Sequence, residues 1–348
     1  MGFGNWVQER LPISGESIRE LTNEPVPNHL KRWWFVLGGT PAYLFMVQIV
    51  TGILLAFYYQ PAPDTAYESI RYITEEASYG WYIRSLHKWA ATLMVATVIL
   101  HQMRVYFTGA YRKPRELNWM FGMLLLISTL TLGFTGYSLV YEQLSYWGAT
   151  VGANIASLVP GIGDFMKTAL LGGEVYNSRT LSRFYILHAA VLPVVMILLI
   201  AGHIAMIRIQ GVTEFQFEDE PEDKPKTFNF WPDHVMTELM LGLFLMILLT
   251  VLATIAPADM GHKANPLVTP EIIKPEWFFY PMFRWLKLMS GTAAIISTGF
   301  IVFLMFIWPF VDALIRSKTR FKEASVYIGI FTVLVIVALT VWEAVAPH

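Results

Sequence analysis

The stretch LHKWAATLMVATVILH, residues 86–101, sets His87 and His101 at the two ends of an apolar run long enough to cross most of a membrane. An ionisable side chain inside a hydrocarbon-spanning helix is costly and by default has a task there. The two histidines lie 14 residues apart, which puts both rings on nearly one helix face, roughly 21 Å apart along the axis. A second stretch, HAAVLPVVMILLIAGH at residues 188–203, repeats the pattern with His188 and His203 at a 15-residue separation. A step of 15 residues leaves the second ring rotated by some 60° from the first, a mismatch that a packed bundle has to absorb.

The rest of the chain is built for a membrane. Of its 348 residues 55% are hydrophobic and 15% charged, too apolar for an ordinary soluble domain. Apolar segments of the roughly 20 residues that cross a hydrocarbon core lie near 33–57, 83–106, 116–138, 184–206, 236–257, 292–311 and 325–346. The expected fold is all-α and polytopic, with seven transmembrane helices: an N-terminal four-helix bundle that carries the histidines, then three C-terminal helices. The connection over 139–183 contains LVPGIGDFMKTALLGG, read as short surface helices broken by Pro160 and the glycines. The stretch EFQFEDEPEDKPKTFNFWPD at 214–233 is acidic and poorly apolar, and reads as a solvated linker. It divides a domain at 1–213 from one at 234–348, with no internal repeat between them.

A formal charge of −1 and the lack of a basic run leave no electrostatic case for nucleic acid. The chain has no cysteine, which removes thiolate metal sites, iron–sulfur clusters and thioether-linked haem. No secretory signal peptide is visible, and residues 18–21 read as part of a short amphipathic surface helix. Fifteen of the 25 Lys and Arg residues fall in the N-terminal segment and the loops after the second, fourth and sixth spans. By the positive-inside tendency the N-terminus is placed on the negative, cytoplasmic side.

In that topology the second and fourth spans run in the same direction, so His87 faces His188 and His101 faces His203. Two imidazoles per layer, with no carboxylate or thiolate beside them, suit a bis-histidine haem better than zinc, which wants four ligands, or a di-iron centre. A single histidine often does no more than hydrogen-bond a neighbouring helix, whereas two matched pairs ask for a common cause. Gly38 and Gly52 in the first span, and Gly122 and Gly136 in the third, are also 14 residues apart. Such spacing would leave room for the edges of a flat macrocycle, although glycine also serves close helix packing in membranes. Arg84 and Arg104 lie within a turn of His87 and His101. Each is readable either as a partner for a haem propionate or as an interfacial snorkelling arginine.

These residues, with RSLHKWAATLMVATVILHQMRVYFTGAYRKPREL, LSRFYILHAAVLPVVMILLIAGHIAMIRIQG and the loop PEWFFYP at 275–281, resemble the cytochrome b of the quinol:cytochrome c oxidoreductases, the cytochrome bc complexes. The likeness covers nearly the whole chain. FYYQPAPD, GYSLVYEQ and FTGAYRKPREL are similar to the chloroplast and cyanobacterial branch, in which the protein is split in two, while SYWGATVG at 145–152 is similar to the mitochondrial and proteobacterial branch.

The resemblance implies two non-covalent haems b, bifurcated oxidation of a membrane quinol at the positive side, and quinone reduction at the negative side coupled to proton translocation. It implies a Rieske iron–sulfur protein and a c-type cytochrome as partners, a homodimer, contact with lipids, and a bacterial inner membrane as the location. Pro275, Glu276, Trp277 and Phe278 would form the quinol-oxidation loop, with Glu276 as proton acceptor in a setting made apolar by Trp277, Phe278 and Phe279. Gly148 would line the same pocket, and Glu20 and Arg208 match positions near the negative-side quinone. Two departures stand out. Val36 occupies the place of a cysteine that holds an extra haem in the chloroplast-like branch, so no covalent haem is expected on this chain. Phe278 replaces the family tyrosine and cannot donate a hydrogen bond. Alternatives are a dihaem b anchor for another quinone-linked dehydrogenase, which the PEWF loop and the three extra helices argue against, and a membrane transporter, which would not explain the doubled glycine spacing.

Overall fold

A computed structural model describes residues 25–27, 30, 33–213, 227–319, 321 and 323–346. Glu20, with the surface helix expected around it, and residues 214–226 of the linker lie outside the described residues. After the short strand β1 (Pro25–Pro27) and a 3-10 turn at Trp33–Gly38 come α1 (Gly39–Ala56), α2 (Ala66–Glu75), α3 (Gly80–Phe107) and α4 (Glu116–Ser138). The surface helices α5 (Gln143–Ser157) and α6 (Gly163–Leu171) then lead into α7 (Ser178–Ile186), a π-turn at Leu187–Val191, and α8 (Leu192–Gln210). Strand β2 (Thr227–Asn229) precedes α9 (Val235–Ile255), and α10 (Tyr280–Lys287), α11 (Gly291–Phe306), α12 (Trp308–Lys318) and α13 (Ala324–Val345) complete the chain.

Among the described residues six apolar helices are long enough to span a membrane, and the α11–α12 pair makes a seventh if counted as one broken span. These helices are apolar all round, as hydrocarbon on the outside demands: Leu198, Ile247, Phe303 and Phe331 are all exposed. Contacts between helices use glycine, whose missing side chain lets a neighbour approach. The Phe121 ring lies where a Cβ on Gly202 would sit, and the Tyr43 ring does the same at Gly242.

The structure corrects two expectations. The sixth span is not straight over 292–311: α11 and α12 meet at 72°. Pro309, in the first turn of α12, has no N–H for a continuing helix and disfavours helical backbone in the residue before it. The acidic segment is not a solvated linker throughout, because β2 pairs antiparallel with β1, Val26 opposite Phe228, and both side chains are buried.

Polar bonds join the last three spans to the first four. Trp119 Nε1 donates to the Met305 carbonyl (2.8 Å), Tyr106 to the Ser325 carbonyl (2.9 Å) and Trp89 Nε1 to the Ala256 carbonyl (2.7 Å). Arg112 Nε pairs with Asp312 at 3.0 Å, the carboxylate 2% and the guanidinium 31% exposed. Breaking a fully buried pair costs about 3–5 kcal/mol; the part-exposed arginine brings the expectation for Asp312→Ala down to about 2 kcal/mol. Residues 1–213 and 227–348 expressed as two chains should therefore co-purify, and Asp312→Ala should weaken that association, read from the detergent concentration at which the parts separate.

Candidate functional site

The four membrane histidines form two layers. The His87 and His188 ring centroids are 6.2 Å apart with planes at 71°; those of His101 and His203 are 6.5 Å apart at 75°. Metal–imidazole bonds of about 2.0 Å on each side of one ion place two trans ring centroids roughly 6.3 Å apart. An edge-to-face pair of rings in direct contact spans a similar distance, so the bonding of the ring nitrogens decides between the two.

His188 Nδ1 lies 3.1 Å from the Leu132 carbonyl. A carbonyl only accepts, so Nδ1 carries the proton and Nε2 keeps its lone pair. His87 Nδ1 lies 2.8 Å from Thr51 Oγ1, whose own proton goes to the Val47 carbonyl at 2.7 Å. Thr51 therefore accepts from His87, and the second tautomer follows. Thr135 stands the same way, 3.2 Å from His188 Nδ1 and donating to Thr131. Imidazoles protonated and held at Nδ1 with a free Nε2 are the form in which histidine ligates a metal. In the other layer Arg104 Nη2 is 3.1 Å from His101 Nδ1. Arginine can only donate, so ligation through His101 Nε2 requires Arg104 to turn to another acceptor. Its Nε is buried without a hydrogen-bond partner among the described residues, which an anionic carboxylate would satisfy.

Each of the four spaced glycines faces one histidine. A Cβ on Gly136 would lie 2.6 Å from His188 Cε1, on Gly52 3.3 Å from His87 Cε1, on Gly38 3.7 Å from His101 Cε1 and on Gly122 3.9 Å from His203 Cε1. Each thus leaves open the space beside an imidazole ring. The 15-residue spacing is resolved by the π-turn Leu187–Val191, which contains His188. A π-turn accommodates one extra residue within a helix, so the 15-residue step has the phase of 14. Pro193 follows in the first turn of α8, and its missing N–H and ring clash favour that widened turn.

The Pro275–Phe278 loop lies by the His87/His188 layer. Phe278 Cζ comes within 3.1 Å of a Cβ position on Gly133, and Gly133 is one turn from Gly136, about 4.5 Å along α4. Phe279 packs on Phe278 and edge-on to Phe134, at centroid distances of 4.8 and 6.4 Å. Gly148 faces Tyr137 Cε1 at 3.3 Å. Glu276 and Pro275 are half-buried, whereas Trp277 is 37% exposed. The apolar surroundings expected of three rings thus fall to Phe278 and Phe279.

The segment that follows α9 is tied at residues 141–143. Gly261 N–H donates to Glu142 (2.6 Å), Gln143 N–H to the His262 carbonyl (2.8 Å) and Ala264 N–H to the Tyr141 carbonyl (3.2 Å). Beside it, burial pushes the Tyr59 and Tyr176 hydroxyls above the ordinary tyrosine range. Both remain donors, to the Leu139 and Ser138 carbonyls.

Arg84 departs from expectation. Its guanidinium donates to the Ala258 (2.6 Å) and Asp259 (2.8 Å) carbonyls and to Thr74 (3.3 Å). With these donors committed, the structure gives it the role of a strut between α3 and the loop after α9, and no support as a propionate partner. Arg208 is exposed near the end of α8. At that end a Cβ on Gly39 would lie 2.5 Å from Glu238 Oε2, one residue from Gly38, and His234 is 4.0 Å from the same carboxylate. Sequence reading missed Glu238, Thr51 and Thr135. The two threonines carried a signal, since each stands directly before a histidine-facing glycine, as Thr51-Gly52 and Thr135-Gly136.

Among the described residues no group of three or more His, Asp or Glu could hold a metal ion. The paired imidazoles of His87 with His188 and of His101 with His203 are a donor set that would suit haem iron.

Comparison with known proteins agrees. The family profile described as Cytochrome b/b6/petB matches residues 21–211, and that described as Cytochrome b(C-terminal)/b6/petD matches residues 263–348. The chain belongs to the cytochrome b family. The cytochrome b6 of Heliobacterium mobile is 48% identical over 210 residues, 60% of this chain and 99% of that protein. A cytochrome bc complex cytochrome b subunit of Chlorobaculum thiosulfatiphilum is 33% identical over 343 residues, 97% of this chain and 78% of that protein. Among solved structures, a chain of a hyperthermophilic respiratory Complex III superposes with TM-score 0.85 at 25% identity, covering 99% of this chain and 92% of that one. Both family profiles in one polypeptide fit a fused form of the split, chloroplast-like arrangement.

Membership in this family implies bound haem b, and the glycine distances rank how substitutions affect it. Gly136→Ala should push the His188 ring out of place and change the haem absorption spectrum, whereas Gly122→Ala should leave the spectrum unchanged.

Proposed function

We propose that the chain is the dihaem cytochrome b subunit of a membrane quinol:cytochrome c oxidoreductase. In this reading a quinol is oxidised in two directions at the positive side, one electron leaving to a Rieske iron–sulfur protein and the other entering this chain. A quinone is reduced at the negative side, and the cycle translocates protons. A c-type cytochrome is the further acceptor, the complex is a homodimer, and the N-terminus lies on the cytoplasmic side of a bacterial inner membrane. One observation carries the proposal: two stacked imidazole pairs share α3 and the α7–α8 helix, and the glutamate loop packs one helical turn from the first pair.

Haem b supplies one-electron acceptance and donation when bound in such layers. His87 and His188 would hold one group, His101 and His203 the other. Thr51, Thr135 and the Leu132 carbonyl keep the protons on Nδ1, and Gly52 and Gly136 leave the rings room to turn into line. Arg104 would take a propionate and thereby release His101.

At the loop, Glu276 accepts the proton that a quinol hydroxyl loses, a task for a carboxylate in partly apolar surroundings. Phe278, Phe279 and Phe134 form the dry wall, and Phe278 contributes its ring with no hydroxyl donor. Among the described residues Glu238, with His234 beside it, and Arg208 are groups that serve at the opposite end for protonating and holding a quinone.

The test is steady-state quinol oxidation by the purified complex. Glu276→Gln should lower kcat about 10²–10⁴-fold, the range for loss of a general base, with haem spectra unchanged. A rate within about twofold of the parent would remove Glu276 from the mechanism.

A further inference from the structure

Glu343 is wholly buried in the last turn of α13, and nothing in the proposed reaction uses it. A carboxylate taken out of water is costly unless paired. Its partners come from α10, the helix that directly follows the glutamate loop. Lys287 Nζ bonds Oε1 at 2.7 Å and Arg284 Nη1 lies 3.6 Å from Oε2. The residues on either side of Glu343 hold the same segment. The Arg284 guanidinium stacks on the Trp342 ring at 3.8 Å, and Lys274 Nζ donates to the Ala344 carbonyl at 3.2 Å. Three consecutive residues of α13 therefore grip residues 274–287 at both flanks, with Pro275–Phe279 lying between the grips.

We propose that Glu343 is a positioning residue for the quinol-oxidation loop: with Trp342 and Ala344 it forms a clamp that fixes where Glu276 and Phe278 stand. The proposal rests on the functional reading above, because it assigns the clamp's purpose to that site. An ordinary ion pair between neighbouring helices would tie α10 to α13 at one point. Here the third tie, from Lys274, reaches the opposite flank of the loop, so movement of the last turn of α13 is transmitted to both ends of the segment bearing Glu276. The lysine is 37% exposed and the carboxylate 0%, so the lysine can be altered with less risk to folding.

The chain has no cysteine, so Ile272→Cys, at a position 46% exposed and two residues before Lys274, provides one site for a nitroxide. The experiment compares the complex carrying this label alone with versions that add Glu343→Gln, Lys287→Met or Lys287→Arg. Label mobility by electron paramagnetic resonance is read alongside kcat and KM for quinol. Glu343→Gln and Lys287→Met should increase label mobility and lower kcat about tenfold, with haem spectra unchanged; Lys287→Arg should match the parent. If Glu343→Gln fails to assemble with haem, Lys287→Met decides the matter. Unchanged mobility and kcat in Lys287→Met would overturn the clamp. A label loosened by Lys287→Met in a complex whose parent oxidises no quinol would leave the clamp standing and defeat the functional reading instead.

Discussion

A histidine nitrogen buried in a membrane bundle must offer either a proton or a lone pair, and the partner of the other ring nitrogen settles which. At the loop end of this bundle the partners are the Leu132 carbonyl and threonine oxygens whose own protons are already donated. They fix His87 and His188 as Nδ1–H tautomers, with Nε2 free for a metal. The surrounding architecture serves that arrangement: glycines opposite each ring, small residues where helices touch, and a widened turn that keeps both layers in register. The opposite layer differs, since Arg104 donates to His101 Nδ1 there and its Nε is buried without a partner among the described residues. The two layers thus present different electrostatic surroundings, as two sites of unequal potential require.

Register is the strictest demand. Layers separated by 14 residues on α3 and 15 on α7–α8 cannot both align along regular helices, because each residue turns the chain by about 100°. The π-turn at Leu187–Val191 takes up the difference at the ligand itself, next to Pro193, the residue whose chemistry opens the hydrogen-bond ladder. The glutamate loop obeys a similar logic. It has little secondary structure of its own, and residues 342–344 grip the chain at both its flanks.

Much of this was legible in the amino-acid sequence because hydrocarbon imposes length and periodicity. Span positions follow from apolar runs, and the histidine layers from spacing. What stayed hidden depends on neighbours distant in sequence. The 72° bend at Pro309 sat inside an apolar run that read as one span. Arg84, one turn from His87, invited a haem contact, yet its donors go to carbonyls in a loop more than a hundred residues away. Part of the acidic segment pairs with Pro25–Pro27, which composition could not reveal. Glu343 sits in a span that reads as lipid-exposed, and only the packing of α10 against it explains a carboxylate there.

The central claim is that the four histidines hold two haems in separate layers. A reductive titration of the purified complex, followed in the haem α-band and quantified per chain, tests it most directly when repeated with His87→Ala and His203→Ala. The account predicts two non-covalent b haems in two separated one-electron waves, with each variant losing a different wave. A single haem, or the same wave lost in both variants, would contradict it.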